Sequence, residues 1–127
     1  MSGHLKFGSE KTRKRTKRKG TIRKRINGTA ERPRLSVFRS ARYVYAQAID
    51  DTTGRVLAAS SDTEEKLEQS VSGKPKKARA REVGKAIGAK LKAAGVTAVM
   101  FDSNGFIYHG RIKEVADGAR EAGLEFE

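Results

Sequence analysis

Residues 34 to 47 read RLSVFRSARYVYAQ and place Arg34, Ser36 and Phe38, then Tyr43, Tyr45 and Gln47, at alternate positions. Cations and hydroxyls contact phosphates, while aromatic rings and a side-chain amide contact unstacked bases and riboses, so this set has the chemistry of a nucleic-acid surface. Upstream, KTRKRTKRKGTIRKR supplies Lys11, Arg13, Lys14, Arg15, Lys17, Arg18, Lys19, Arg23, Lys24 and Arg25, a density suited to neutralising phosphates. Downstream, Phe106-Ile107-Tyr108-His109-Gly110-Arg111 offers His109 and Arg111 as donors beside a glycine that lets backbone approach an anion. Plainer readings stand beside each. The rings can pack under the arm or a loop, the basic run can be a solubilising or localisation tail, and a lone histidine without a Ser or Cys partner is commonly structural.

A second chemistry needs weighing. Asp50 and Asp51 close one segment and Asp102 closes another, and carboxylates gathered at strand ends can hold two Mg²⁺ ions for phosphodiester cleavage. Asp51-Thr52-Thr53-Gly54 and Asp102-Ser103-Asn104-Gly105 have turn composition, which favours acids that cap turns. Neither a Walker-type glycine loop nor a His-Glu-x-x-His pattern occurs. With no cysteine, disulfides, thiol chemistry and Cys-ligated zinc are excluded. The expectation is a non-enzymatic chain with no cofactor, no metal site and no small-molecule substrate.

Charge locates the partner. The 127 residues carry 28 Lys+Arg against 15 Asp+Glu, a net charge of +13. Within residues 1 to 45 the only acids are Glu10 and Glu31, and that segment accounts for the whole surplus. The remainder is balanced. A basic arm on a neutral domain calls for a polyanion, nucleic acid ahead of an anionic membrane or an acidic protein. Hydrophobic residues are 36% and charged residues 34%, a composition for one small domain rather than a membrane span. The first residues lack the apolar stretch of a secretory leader, so a cytoplasmic location is expected.

The elements that would position these groups follow from periodicity. Leu5, Phe7, Ile22 and Ile26 are too few to build a core, so residues 1–30 read as a basic extension and 31–127 as a single globular domain. RLSVFRS and YVYAQAID alternate with period two and form a hairpin, and RVLAASS follows the turn at Gly54 as a third strand. Ser61 and Asp62 stand at capping-box spacing from Glu64 and Glu65, predicting a short helix through Leu67. Val83, Ile87, Leu91 and Ala94 mark a helix from about Lys76 to Ala94 that ends at Gly95. Ala80, Gly84 and Gly88 form a small-residue stripe suited to close approach to a sheet. The basic Lys76, Lys77, Arg79 and Arg81 on this helix read as a solvated face or a second RNA surface. TAVMFD is a buried strand, and Ile112, Val115, Ala116 and Ala119 line a closing helix with Gly123 past its end. The fold class is therefore α/β (α+β), in the order β-β-β-α-β-α. Three antiparallel strands and one parallel strand form a mixed sheet with both long helices on one face. The other face is open and displays Arg34, Ser36, Phe38, Tyr43, Tyr45 and Gln47.

ERPRLSVFRSARYVYAQAIDD and FDSNGFIYHGRIKEVADGAREAGLEF resemble the bacterial large-subunit ribosomal protein eighteen family, in order from about Arg13 to Phe126. The resemblance implies a protein of the 50S subunit that binds 5S rRNA in the central protuberance, links it to 23S rRNA and neighbours ribosomal protein five. It also implies a fold distantly akin to ribonuclease H, without nuclease activity. Carried onto this sequence, the family's RNA-facing positions fall on the basic arm, on Arg32, Arg34, Ser36, Phe38, Arg39, Ser40 and Arg42, on Tyr43, Tyr45 and Gln47, and on Tyr108, His109 and Arg111. Many relatives have Arg where this chain has Ser103, and Thr63 to Gly73 matches no family pattern. From the residues alone, a nonspecific basic RNA- or DNA-binding chaperone remains the alternative, and a Mg²⁺-dependent nuclease a more distant one.

Overall fold

The computed structural model describes residues 27–126, so the ten cations from Lys11 to Arg25 and their expected RNA contacts lie outside the described residues. Leu35 and Val37 alternate with Arg34, Ser36 and Phe38 along β1 (Arg34–Arg39), as Val44, Ala46 and Ala48 do with Tyr45 and Gln47 along β2 (Val44–Asp50). All five aliphatic side chains are fully buried, the outcome of a period of two on a sheet covered on one face. The strands pair antiparallel, with Leu35 opposite Ala48, Val37 opposite Ala46 and Phe38 opposite Tyr45. Gly54, at φ 73°, turns the chain into β3 (Arg55–Ser61), antiparallel to β2.

A short helix α1 (Glu65–Val71) leads to α2 (Lys76–Ala93), which carries the chain over the sheet so that β4 (Ala98–Asp102) returns parallel to β1. α3 (Gly110–Glu121) follows, then β5 (Glu125–Phe126), parallel to β4. The sheet order is β3-β2-β1-β4-β5. The expected mixed α/β architecture is present, with two additions. α1 runs past Leu67 to Val71, and β5 is a two-residue strand too short to leave a periodic signal. The Glu64 carboxylate accepts the Ser61 amide at 2.9 Å, but α1 begins at Glu65 with Glu64 as its N-cap and no side-chain cap bond, so the expected capping box is not formed.

Both long helices stop the same way. Gly95 and Gly123 take positive φ, and the amides of Val96 and Leu124 bond back to the carbonyls of Leu91 and Ala119. These are Schellman closures, which need a residue free to turn left-handed.

Val83, Ile87 and Leu91 of α2 and Ile112, Val115 and Ala119 of α3 join the strand aliphatics in one core. The stripe of small residues has a different partner from the one expected. A Cβ at Gly84 would overlap the Val115 carbonyl oxygen, and one at Gly118 would overlap the Arg81 carbonyl oxygen. The close approach is therefore between the two helices, not between α2 and the sheet. Gly88 faces Ala122 in the same crossing. The sequence shows which residues are small but not which neighbour comes close.

Candidate nucleic-acid interface

The face of the β1–β2 hairpin opposite the helices carries the candidate site. Phe38 and Tyr45 are cross-strand partners, with ring centroids 4.8 Å apart and planes inclined by 17°. Phe38 is 37% exposed and Tyr45 half-buried, so the stacked pair presents a π surface to solvent. Gln47 lies two residues along β2 on the same face, half-buried, as is Tyr43 at the start of the strand. At the hairpin tip the Ser40 amide donates to the Tyr43 carbonyl at 2.9 Å, and the Tyr43 amide donates to Ser40 Oγ at 3.2 Å. This tight turn exposes Ser40 and Arg42.

Cations collect around the turn. The Arg39 guanidinium lies 5.2 Å from the centre of the Phe106 ring. Arg111 donates to the Ser40 carbonyl at 3.0 Å, and Lys76 donates to the Ala41 carbonyl at 2.9 Å. Burial and the nearby Arg39 charge both lower the pKa of Arg111, with Asp62 opposing them. Two guanidiniums crowded at one end of a sheet favour an anion between or beside them. The sequence leaves Lys76 open as part of a solvated face or a second RNA surface, and its place beside the hairpin turn depends on a contact with Ala41 35 residues away. Arg79 pairs with Asp62, and Arg81 with Glu114 and Glu121, so those members of the basic helix face are engaged within the domain.

Arg34 and Ser36 occupy the expected face but are not displayed. Arg34 is 8% exposed and Ser36 4%. The Arg34 guanidinium bridges two carboxylates. Nε and Nη2 donate to Asp51 at 3.0 Å each, and Nη1 donates to Asp102 at 2.8 Å. These partners, the Asp51 hydrogen bond first, hold Arg34 more firmly protonated than usual despite its burial. Ser36 is covered by the loop after β4. Asn104, at φ 54° in a left-handed turn, donates its side-chain amide to Ser36 Oγ at 2.6 Å and to the Val37 carbonyl at 3.1 Å. Alternation names the face of a strand, whereas the loop that covers it arrives from far along the chain. The Asn-Gly turn signal was visible; its destination was not.

The motif following β4 divides. His109 is exposed at the start of α3, next to Gly110 at φ 58° and Arg111. Tyr108 belongs to another cluster, where its hydroxyl accepts from Arg120 at 2.8 Å and its ring meets Phe101 edge-on. Phe101 stacks on Phe126, over which Arg120 lies at 4.3 Å. Tyr108 is therefore committed to the β4–β5 edge. Arg32 is exposed, in a turn closed by reciprocal hydrogen bonds between Thr29 and Arg32.

The three acids weighed for metal chemistry are otherwise occupied. Asp50 accepts both the amide and the hydroxyl of Thr52, Asp51 accepts the Gly28 amide and Arg34, and Asp102 accepts the Asn104 amide and Arg34. Among the described residues no group of three His, Cys, Asp or Glu side chains is arranged to hold a metal ion.

A family model described as Ribosomal L18 of archaea, bacteria, mitochondria and chloroplast matches residues 9–126. The large ribosomal subunit protein uL18 of Myxococcus xanthus (strain DK1622) is 56% identical over 112 residues, which span 88% of this chain and 94% of that protein. The protein of the same name from Desulfosudis oleivorans is 53% identical over 120 residues, 93% of this chain and 97% of its own. That of Clostridium botulinum (strain Langeland) is 51% identical over 118 residues, with the same coverage of both chains.

Proposed function

The chain belongs to the ribosomal L18 family, and from that premise we propose that it binds 5S rRNA and helps attach it to 23S rRNA in the central protuberance. As a member of this family it is a structural constituent of the large subunit of the cytoplasmic ribosome, not an enzyme, with rRNA and ribosomal proteins as partners. Ribosomal protein five is the neighbour we assign to it there. The basic extension, residues 1–30, neutralises phosphates, and the domain, residues 31–127, sets register through its open sheet face.

The observation that carries the RNA reading is the stacked Phe38–Tyr45 pair, exposed on the open face of a hairpin whose turn gathers Arg39, Arg42 and Arg111. Splayed bases stack on such rings while neighbouring cations take the flanking phosphates, a combination typical of folded RNA with unpaired nucleotides. The motif ERPRLSVFRSARYVYAQAIDD, shared in pattern with the family, supports 5S rRNA as the particular ligand.

Competition decides it. Labelled 5S rRNA bound to the full chain at fixed salt is challenged with unlabelled 5S rRNA, a 23S rRNA fragment and an unrelated structured RNA. Unlabelled 5S rRNA displaces the label at far lower concentration than the unrelated RNA. Equal displacement by all would instead identify a nonspecific basic RNA- or DNA-binding chaperone.

A further inference from the structure

We propose that Arg34 and Asp51 form a clamp that fixes where the basic arm leaves the domain, acting on RNA binding through the arm and not by touching RNA. The inference rests on the RNA-binding reading above. It makes Arg34 and Asp51 positioning residues.

The clamp is built around Gly28. Its amide donates to Asp51 Oδ2 at 2.7 Å, and its carbonyl accepts the Asp51 amide at 2.9 Å. Gly28 is buried so tightly that a Cβ there would overlap the Arg34 backbone nitrogen and the Ile49 carbonyl oxygen. Asp51 is held in turn by two donors of Arg34, whose third bond ties it to Asp102, a carboxylate with no exposed surface. Beyond Gly28 the chain stays pinned, through the Thr29–Arg32 turn and the Met100 amide on the Pro33 carbonyl. Gly28, inside the extension and three residues after its last cation, Arg25, is thus fixed by backbone and side chain together.

Electrostatics argue against a phosphate here. The guanidinium sits between two carboxylates, which oppose the approach of an anion to it. Arg34 is also 8% exposed, with Nε, Nη1 and Nη2 already donating. The clamp's value lies in geometry. Gly28 lies against the first residue of β1, and Phe38 is four residues further along that strand, roughly 13 Å at ~3.3 Å per residue. A root held at that separation lets arm and rings engage one RNA together, and holding two contacts in fixed relation raises the effective concentration of the second.

The test is a cycle on the full chain. Asp51→Asn and Gly28→Ala are each made with the native arm and with an arm carrying Lys14→Gln, Arg15→Gln, Lys17→Gln and Arg18→Gln, and 5S rRNA affinity is measured at fixed salt. With the native arm each substitution weakens binding by about fivefold, and with the neutralised arm by less than about 1.5-fold, as coupled positions require. An equal loss in both backgrounds, or no loss with the native arm, overturns the clamp. Gly28→Ala removes no charged group and displaces the arm's root by its Cβ, so it decides the matter if Asp51→Asn does not fold. Hydrogen exchange of the wild type adds a reading free of substitutions: the Gly28 amide is protected like those of β1, and exchange at the rate of an open peptide also overturns it. Loss of 5S selectivity with the coupling intact would defeat the 5S assignment and leave the clamp standing.

Discussion

Phe38 and Tyr45 face one another across the β1–β2 ladder with their rings stacked at 4.8 Å, on the side of the sheet that the helices leave open. Stacking of an RNA base on such a platform is worth about 1–3 kcal/mol per base. Phe38→Ala and Tyr45→Ala each weaken 5S rRNA binding by that order, read by fluorescence anisotropy. The folded domain loses only the pair itself, about 0.5–1.5 kcal/mol beyond the area exposed. A double variant that binds like the wild type would remove the platform from the interface.

Salt reports on the arm. If about six phosphates are neutralised, the logarithm of affinity falls with the logarithm of salt concentration at a slope of roughly −4 to −5. Deleting residues 1–25 flattens that slope, and the thermal unfolding transition survives. Loss of the transition would contradict the division into arm and domain.

Arg34 and Arg42 separate stability from binding. Arg34→Met removes the cation that bridges Asp51 and the buried Asp102, and breaking such a pair costs about 3–5 kcal/mol. Arg42 is exposed on the hairpin turn. Arg42→Met leaves denaturant unfolding unchanged and weakens RNA binding. The reverse pattern would return Arg34 to the contact surface.

Acid should loosen the Asp50 turn. The Thr52 hydroxyl, then the Thr52 amide and the hydroxyl and amide of Thr53, hold the Asp50 carboxyl below its ordinary range against an opposing effect of burial. A carboxylate whose pKa is lower in the folded chain binds fewer protons there. Its contribution is complete above the unfolded value of about 4 and disappears as pH falls through the lower folded value. Glu121, lowered chiefly by its bond from Arg81, acts in the same direction. Thr52→Ala raises the Asp50 pKa toward its unfolded value, so the melting temperature falls less steeply with acid below about pH 4 than in the wild type. Parallel melting curves for the two proteins would disprove the assignment.

The helix crossing tolerates no methyl group. Gly84→Ala or Gly118→Ala places a Cβ against a carbonyl oxygen of the opposite helix, with an expected loss of about 1–3 kcal/mol each. The double variant loses less than the sum, because either substitution already parts α2 from α3. Full additivity in chemical denaturation would mean that the two glycines serve separate contacts.

What could be read in advance was whatever is local. The inward Leu35 and Val37, the helix through Val83, Ile87 and Leu91, and the stops at Gly95 and Gly123 each follow from spacing within a few residues. Phe38 and Tyr45 were legible as members of one open face for the same reason, while their pairing across the ladder rests on the register. The burial of Arg34 and Ser36 was not, because it depends on Asp102 and Asn104, distant in sequence and adjacent only after β4 aligns with β1. Lys76 at the hairpin turn and the helix partner of Gly84 were hidden likewise.

β1 is the middle strand, and one of its two neighbours is made late. At roughly 5–20 residues per second, translation takes roughly 3–12 s to produce the roughly 60 residues between the end of β1 and β4. Through that interval the nascent hairpin offers an unpaired edge to any passing chain. Arg34 and Arg39 stand at its two ends, and charged residues on an exposed edge oppose intermolecular pairing. An arginine that later locks into a buried bridge therefore first serves as a guard against aggregation.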